Sequence, residues 1–533
     1  MKVRSITSFY DPACPQAERQ LKRLAEVSEA LREAIQQKLE VQSTRLGTSP
    51  FSCYLNDRPP AEVISCATQL EQKAQSLGWQ YLAMGPALPE HPWAYKLIPQ
   101  LIRSTKNVFF SAVITANHTL YPGAVLAGAQ IIHQTAQNST DGFANLRFAA
   151  LASVEPWTPF LPAAYHQVGS APAISIAVEC ADAVNDAFSQ DLTLEECRQS
   201  LLDSLQNASS QLEEVILPII HSGGIRFKGF DFSPAPFPED WCSLAGAAER
   251  LGLAHIGGLG TLPAIALIAD TLDRGNWRKA GFNGMMLPLL EDSILAKRAA
   301  EGQLNVKDLL LYSTHCGTGL DTIPLPGDTS IEQLRSVLMD IAAISIRLDK
   351  PLTARLMPIP GKSAGDFTDF HFPFFANSRV LSLEGQPLHR FFYIPRSHSH
   401  LAAAKISASV SHQFPGGNSV CRNASRVGNN GMGVNVSVGV GVAVLVGVGV
   451  MVGVSVGVGV LVGVGVGTWR LSLSSFSACP FLVESMNRRS VTTPLLTLSR
   501  SQVSNFCGSA EVSPPGSTSV VHLCGSFPSP YSR

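Results

Sequence analysis

Two spacings of apolar residues alternate along residues 1–394. In "QAERQLKRLAEVSEALREAIQQKLE" the apolar positions Leu21, Leu24, Val27, Leu31, Ile35 and Leu39 step by three or four, which lines one face of a helix. The same stepping predicts helices over 63–77, 124–132, 194–217 and 331–346. Between them lie runs rich in β-branched and aromatic residues, over 3–10, 79–87, 108–114, 146–154, 173–179, 226–233, 283–290 and 352–359. Several are apolar nearly throughout, as strands covered on both faces must be. Strands separated by helices indicate crossover units and a mainly parallel sheet. With no clear linker before residue 394, the pattern predicts one closed α/β barrel; a long doubly wound open sheet is the competing arrangement.

The pattern changes after residue 394. From 431 to 469 there is no charged residue, and "VGVGVAVLVGVGVMVGVSVGVGVLVGVGVG" is almost a two-letter code. The stretch is long enough to span a membrane, but Gly and β-branched Val are both poor helix formers. As a strand it would set every Val on one face, an aggregation-prone ribbon. A translated short tandem repeat suits the Ser/Arg/Pro-rich flanks. Residues 395–533 are therefore expected to be a Val/Gly/Ser-rich low-complexity tail, disordered or artefactual, without a role in the body's chemistry.

Charge adds an exclusion. The tail carries nine Lys/Arg against two acids, which leaves 31 against 39 in residues 1–394, a net of −8. An acidic body gives no footprint for nucleic acid, and the tail's cations are too dispersed to form a patch. The opening "MKVRSITSFYDPACP" lacks an apolar segment of the secretory type. Seven of the eleven cysteines lie in the body, at 14, 53, 66, 180, 197, 242 and 316, without a CxxC pair. Neither a zinc site nor a redox pair is indicated, and a cytoplasmic location with reduced thiols is expected. The N-x-S/T triplet at Asn117–Thr119 is then a chance match.

In such folds ligands gather where strand-end loops converge. Asp231, in "GFDFSPAPFPED", ends a strand and is followed by Pro234, Pro236 and Pro238. A carboxylate on so stiff an exit either orients a substrate, acts as a base, or caps its own loop. Gly257, Gly258 and Gly260 precede a helix with Thr261 as the candidate N-cap; bare amides there suit a phosphate or carboxylate, and a tight turn is the alternative. The dinucleotide spacing is missing. Gly361-Lys362-Ser363 is not a phosphate loop, because Leu356 stands where the first glycine would be; Lys362 remains a candidate ligand-binding cation. Asp366, Asp369 and His371 lack a further ligand cluster, so no metal is expected. Glu155 ends a strand, and His166 follows an apolar, proline-rich loop that could cover a cavity. Cys316, next to His315, is either a nucleophile, which needs a depressed pKa, or a packed side chain.

The segments "PFLPAAYHQVG", "FDFSPAPFP", "GTLPAIALIAD", "CGTGLDTIPLPGDT" and "RLMPIPGKSAGDFTDF" together resemble domain-of-unknown-function family 711, described as pyruvate formate-lyase-like. The resemblance covers residues 1–394. It implies a ten-stranded α/β barrel of the glycyl-radical-enzyme type and a site region made by His166 with Gly169, Asp231 with Pro234, Gly260-Thr261, Cys316 with Asp321, and Gly361 with Asp366. It names no reaction. The chain departs from the formate-lyases: Cys316 has no cysteine neighbour, and no Arg-Val-x-Gly-Tyr-like loop occurs before residue 394, so no radical is expected.

The sequence thus leads to an enzyme acting without a radical or cofactor on a small carboxylate or phosphorylated metabolite. Cys316, His166, Asp231 and Asp366 would do the chemistry, and Gly257, Gly258, Gly260, Thr261, Asp321 and Lys362 would bind the ligand. A non-catalytic binding protein or scaffold on the same fold is the alternative. A small-molecule ligand is the expected partner; nucleic acid and membrane are not, and a homo-oligomer is compatible with the pattern.

Overall fold

The computed structural model describes residues 1–188, 192–386 and four short strands beyond them. Residues 1–412 form one unit and 413–533 another. In the first unit the strands are β1 (Lys2–Tyr10), β2 (Thr44–Thr48), β3 (Tyr81–Ala87), β4 (Val108–Ala116), β5 (Thr119–Leu120), β6 (Phe148–Ala152), β7 (Ala173–Glu179), β8 (Arg226–Asp231), β9 (Gly319–Pro326) and β10 (Leu352–Ile359). They make a ten-stranded sheet in the order β8-β7-β1-β2-β3-β4-β6-β10-β9, with β5 added to β4.

The directions fall into two sets. β1, β2, β3, β4 and β6 run parallel to one another. β7 and β10 pair antiparallel to the outermost of these, and β8 and β9 run parallel to β7 and β10 respectively. The two flanks therefore share a direction, opposite to that of the centre. The predicted mainly parallel α/β sheet is present, but its edges, β8 and β9, are not joined by a ladder. The segment predicted as a strand over 283–290 is not one; within it Pro288 makes an isolated parallel bridge to Asp321 of β9, and just before it Lys279 bridges Phe230 of β8.

Helices cross over the outside of the sheet. The helix Ala17–Gln36 buries Leu21, Leu24, Val27, Leu31 and Ile35, five of the six positions that its periodicity marks. The helix Leu194–Gly223 opens with a capping box between Thr193 and Glu196 and stops at Gly224, whose φ of 64° suits glycine. Ser330 and Gln333 form the same box ahead of Ile331–Leu348. Under these helices the outward residues of each strand form the main core, such as Val108, Phe110, Ala112 and Ile114 of β4 and Ile174, Ile176 and Val178 of β7.

Two strands differ from expectation. Gly319–Pro326 is not among the predicted strands; it is β9, and its prolines are tolerated because the strand sits at the edge of the ladder. β2 is five residues, Thr-Arg-Leu-Gly-Thr, with too little apolar content to read as a strand. In the second unit, the strands Val438–Leu445, Gly453–Val462, Arg470–Ser472 and Phe476–Ser477 pair antiparallel. The rest of the predicted low-complexity tail lies outside the described residues. No helix among the described residues is long and apolar enough to cross a membrane.

Candidate ligand site on the inner face of the sheet

Strand alternation sends every second residue to the face away from the helices. Ser5 and Thr7 of β1 share a hydrogen bond there, and that face also holds Arg45, Ser175, Asp231, Asp321 and Arg355. The loop 153–172 lies across it. Pro159 accepts hydrogen bonds at its carbonyl from Ser5 Oγ (3.4 Å) and Arg45 Nη1 (3.3 Å). Ser175 Oγ donates to the Trp157 carbonyl at 2.8 Å. The Phe160 ring lies 5.9 Å from the Arg4 guanidinium, 5.6 Å from that of Arg355 and edge-on to Phe282.

A set of hydrogen bonds holds this loop. Trp157 Nε1 donates to His166 Nδ1 at 3.1 Å, and the other ring nitrogen donates to the Ser170 carbonyl at 3.1 Å, which fixes one neutral tautomer. Burial pushes the His166 pKa below its usual value, against the opposing pull of the Ser170 bond and Asp11. Asp11 accepts from the Gly169 amide, Ser49 Oγ and the Ala13 amide, tying the loop's far end to β1. His166 therefore has both ring nitrogens engaged in positioning the loop.

Charges cluster beneath Phe160. Arg355 pairs with both oxygens of Asp321 and reaches Glu291 at 3.0 Å. Arg4 approaches Glu291 at 3.7 Å. Burial, reinforced by Asp321 and opposed by Arg355 and Arg4, raises the Glu291 pKa. Burial would lower Arg355, but Asp321 and Glu291 outweigh it and hold that guanidinium above its usual value. Arg45 differs from both other arginines. It donates to Ser43 Oγ and the Pro159 carbonyl, and no carboxylate among the described residues pairs with it. Burial, then repulsion from Arg4, pushes its guanidinium down to about 9.

Asp231 is buried on the same face and accepts from the amides of Ser233, Phe282 and Asn283 and from Ser233 Oγ. These donors lower its pKa, yet burial outweighs them and the net shift is upward. A Cβ at Gly281 would come within 2.3 Å of its Oδ2, so glycine is needed for the chain to close over the carboxylate. Arg4, Arg45, Pro159, Phe160, Asp231 and Met286 border a cavity of ≈ 10 Å³, about the space of one water.

The other residues singled out from sequence are dispersed. Cys316 is buried, its Sγ 3.7 Å from Thr318 Oγ1 and 3.8 Å from the Gly319 carbonyl. Asp366 is exposed and accepts from the Ser363 amide at 2.6 Å, on the turn that carries Gly361 and Lys362. The glycine turn is closed on itself: Thr261 Oγ1 accepts from the Gly257 amide and donates to the Gly258 carbonyl. The helix cap there is Gly260, at φ 98°, and Thr261 is the first helical residue rather than the N-cap. No hydrogen bond or ion pair links Cys316, His166, Asp231 and Asp366 to one another among the described residues. Nor does any group of three or more His, Cys, Asp or Glu side chains among them suit a metal ion. Arg4, Arg45, Glu291 and Arg355 were missed by motif reading. For Arg355 the signal was a lone arginine within an apolar strand, "LTARLMPI", where an unpaired charge is expensive.

Fold and site together define a mixed α/β protein whose ten-stranded sheet carries helices on one face and a buried ionic cluster on the other. The chain belongs to the family described as uncharacterised ACR (DUF711), whose model matches residues 1–378. It is 33% identical over 231 residues to the UPF0210 protein PAE3581 of Pyrobaculum aerophilum, covering 42% of this chain and 51% of that protein. It is 29% identical over 348 residues to a UPF0210 protein of Pyrobaculum islandicum, covering 62% and 76%. With MK1214 of Methanopyrus kandleri, also a UPF0210 protein, it shares 29% over 320 residues, covering 57% and 70%. The chain spans about half the length of the first of these relatives.

Proposed function

We propose that residues 1–394 are one domain, an α/β barrel whose ring is the nine strands from β8 to β9, without the short β5, with the segment 278–290 as the tenth. Its interior would bind a small carboxylate or phosphorylated metabolite, as an enzyme that works in the cytoplasm without a glycyl radical. Arg45 carries this reading. A half-buried guanidinium facing the interior, with no carboxylate partner among the described residues, is costly to keep, and an anionic ligand is the natural complement. Glu291, with its pKa raised beside Asp321 and Arg355, is suited to hold and pass a proton to a ligand anchored at Arg45.

A specific observation favours a second reading, a non-catalytic binding or scaffold role. The cavity at Arg45 has room for about one water, so a metabolite must displace Pro159 and Phe160. Thermal melts with acetate, pyruvate, succinate and phosphoglycolate, each followed by product analysis, separate the readings. Saturable stabilisation with conversion that Glu291→Gln abolishes supports the enzyme. Stabilisation without conversion supports the binding protein. No stabilisation by any of the four would overturn the anion-binding proposal.

A further inference from the structure

At the start of β8, three cations stand together. Arg226 and Arg278 are exposed and Lys228 is half-buried. None of the three forms an ion pair among the described residues, although the body as a whole is acidic. Arg278 is brought here by the backbone. Its carbonyl accepts from the Phe230 amide at 2.7 Å, and a Cβ at Gly229 would lie 2.4 Å from that same oxygen. Gly229, at φ 136°, is thus what lets the 278 segment press against β8 and set Arg278 beside the other two. The Lys228 ammonium sits 3.2 Å from the centre of the Trp157 ring, and the Arg278 guanidinium 5.9 Å from that of Phe227. Burial lowers the Lys228 pKa, and repulsion by Arg226 and Arg278 adds to it.

We propose that Arg226, Lys228 and Arg278 form a phosphate-binding site at the β8 edge, with the Trp157 ring as its floor. Like charges held together by the backbone repel, and the mismatch is relieved by a multivalent anion rather than by any carboxylate that the described residues offer. Two exposed guanidiniums offer paired donors to phosphate oxygens, and the ammonium adds a point charge. The ligand class is a phosphorylated small molecule. The site is separate from the Arg45 cavity and stands without the reading given for it. Because Trp157 belongs to the loop 153–172, an anion that draws Lys228 away from the ring alters the indole's surroundings.

The test is a fluorescence titration of the full chain with pyrophosphate and with inorganic phosphate, at ionic strength matched with sodium chloride. A saturable change in tryptophan emission is expected. Trp157→Phe should remove the optical signal, while calorimetry on that variant still detects binding. Lys228→Met and Arg278→Gln should each weaken affinity about tenfold, as loss of one charge-assisted hydrogen bond does. Arg379→Gln, whose guanidinium stacks on Phe367 elsewhere, should leave affinity unchanged. Equal affinity in the Lys228→Met and Arg278→Gln variants, or a response to phosphate no larger than that to chloride, would overturn the site. Arg226→Gln, at an exposed position, provides a third variant should Arg278→Gln fail to fold.

Discussion

The two faces of the sheet in the first unit are built on opposite principles. The outer face of β4 offers Val108, Phe110, Ala112 and Ile114 to the helices, an aliphatic surface that dispersion and burial stabilise without directional demands. The inner face of the same fold holds Arg4, Glu291, Asp321 and Arg355, groups whose removal from water is expensive and which therefore depend on one another, and beside them Arg45, which has no ion pair among the described residues. Outer positions should tolerate apolar replacement of similar volume. Inner ones should not tolerate the loss of a single partner.

The comparison is sharpest at Arg355. Arg355→Leu leaves Asp321 buried without its cation and Glu291 with only Arg4, at 3.7 Å, and should cost about 3–5 kcal/mol in urea unfolding. On the outer face, Ile176→Val should cost about 1 kcal/mol, the ordinary result for one buried methyl group. A smaller loss at Arg355 than at Ile176 would break the contrast. Asp366→Ala, at an exposed turn with one amide bond to Ser363, should change stability by no more than about 0.5 kcal/mol.

The loop 153–172 across the inner face supplies a pH test. The His166 pKa is lowered in the folded state, so the unfolded chain binds the proton more tightly. The neutral ring's contribution is fully present above the ordinary histidine value, near 6.5, and is lost as the pH falls toward the lowered folded value. Urea midpoints should therefore drop between pH 7 and pH 5, and His166→Gln should flatten that drop while lowering stability throughout. An unchanged slope in the variant would assign the pH dependence to other groups.

What the sequence made legible follows from these faces. Strand β7, Ala173–Glu179, was read at those residues because apolar or small side chains line it almost throughout, and strand β10, Leu352–Ile359, because Arg355 is the one charge in an otherwise apolar or small run. β9 was lost to Pro324 and Pro326, which mark a loop unless one knows that the strand lies at an edge. The short helices Ser293–Ala300 and Val306–Tyr312 span about two turns, too few for a period of 3.6 to declare itself. Asp231 drew notice as an acid at a strand end and Asp321 through the resemblance that pairs it with Cys316, and both lie on the inner face. Their surroundings were hidden, since Arg355 is 34 residues from Asp321 and spacing says nothing of pairing across strands. Thr261 shows the converse: its hydroxyl closes the turn it was expected to cap.

Arg45, a guanidinium on the inner face with no carboxylate partner among the described residues, is the residue on which the proposed anion site rests. Thermal denaturation of Arg45→Met without ligand addresses this directly. If Arg45 awaits an anion, the melting temperature is equal to or above that of the native chain, since a half-buried charge with no carboxylate partner among the described residues is replaced by an apolar side chain of similar length. A fall corresponding to more than about 2 kcal/mol would contradict it, by showing that Arg45 stabilises the fold through Ser43 and Pro159 rather than waiting for an anion.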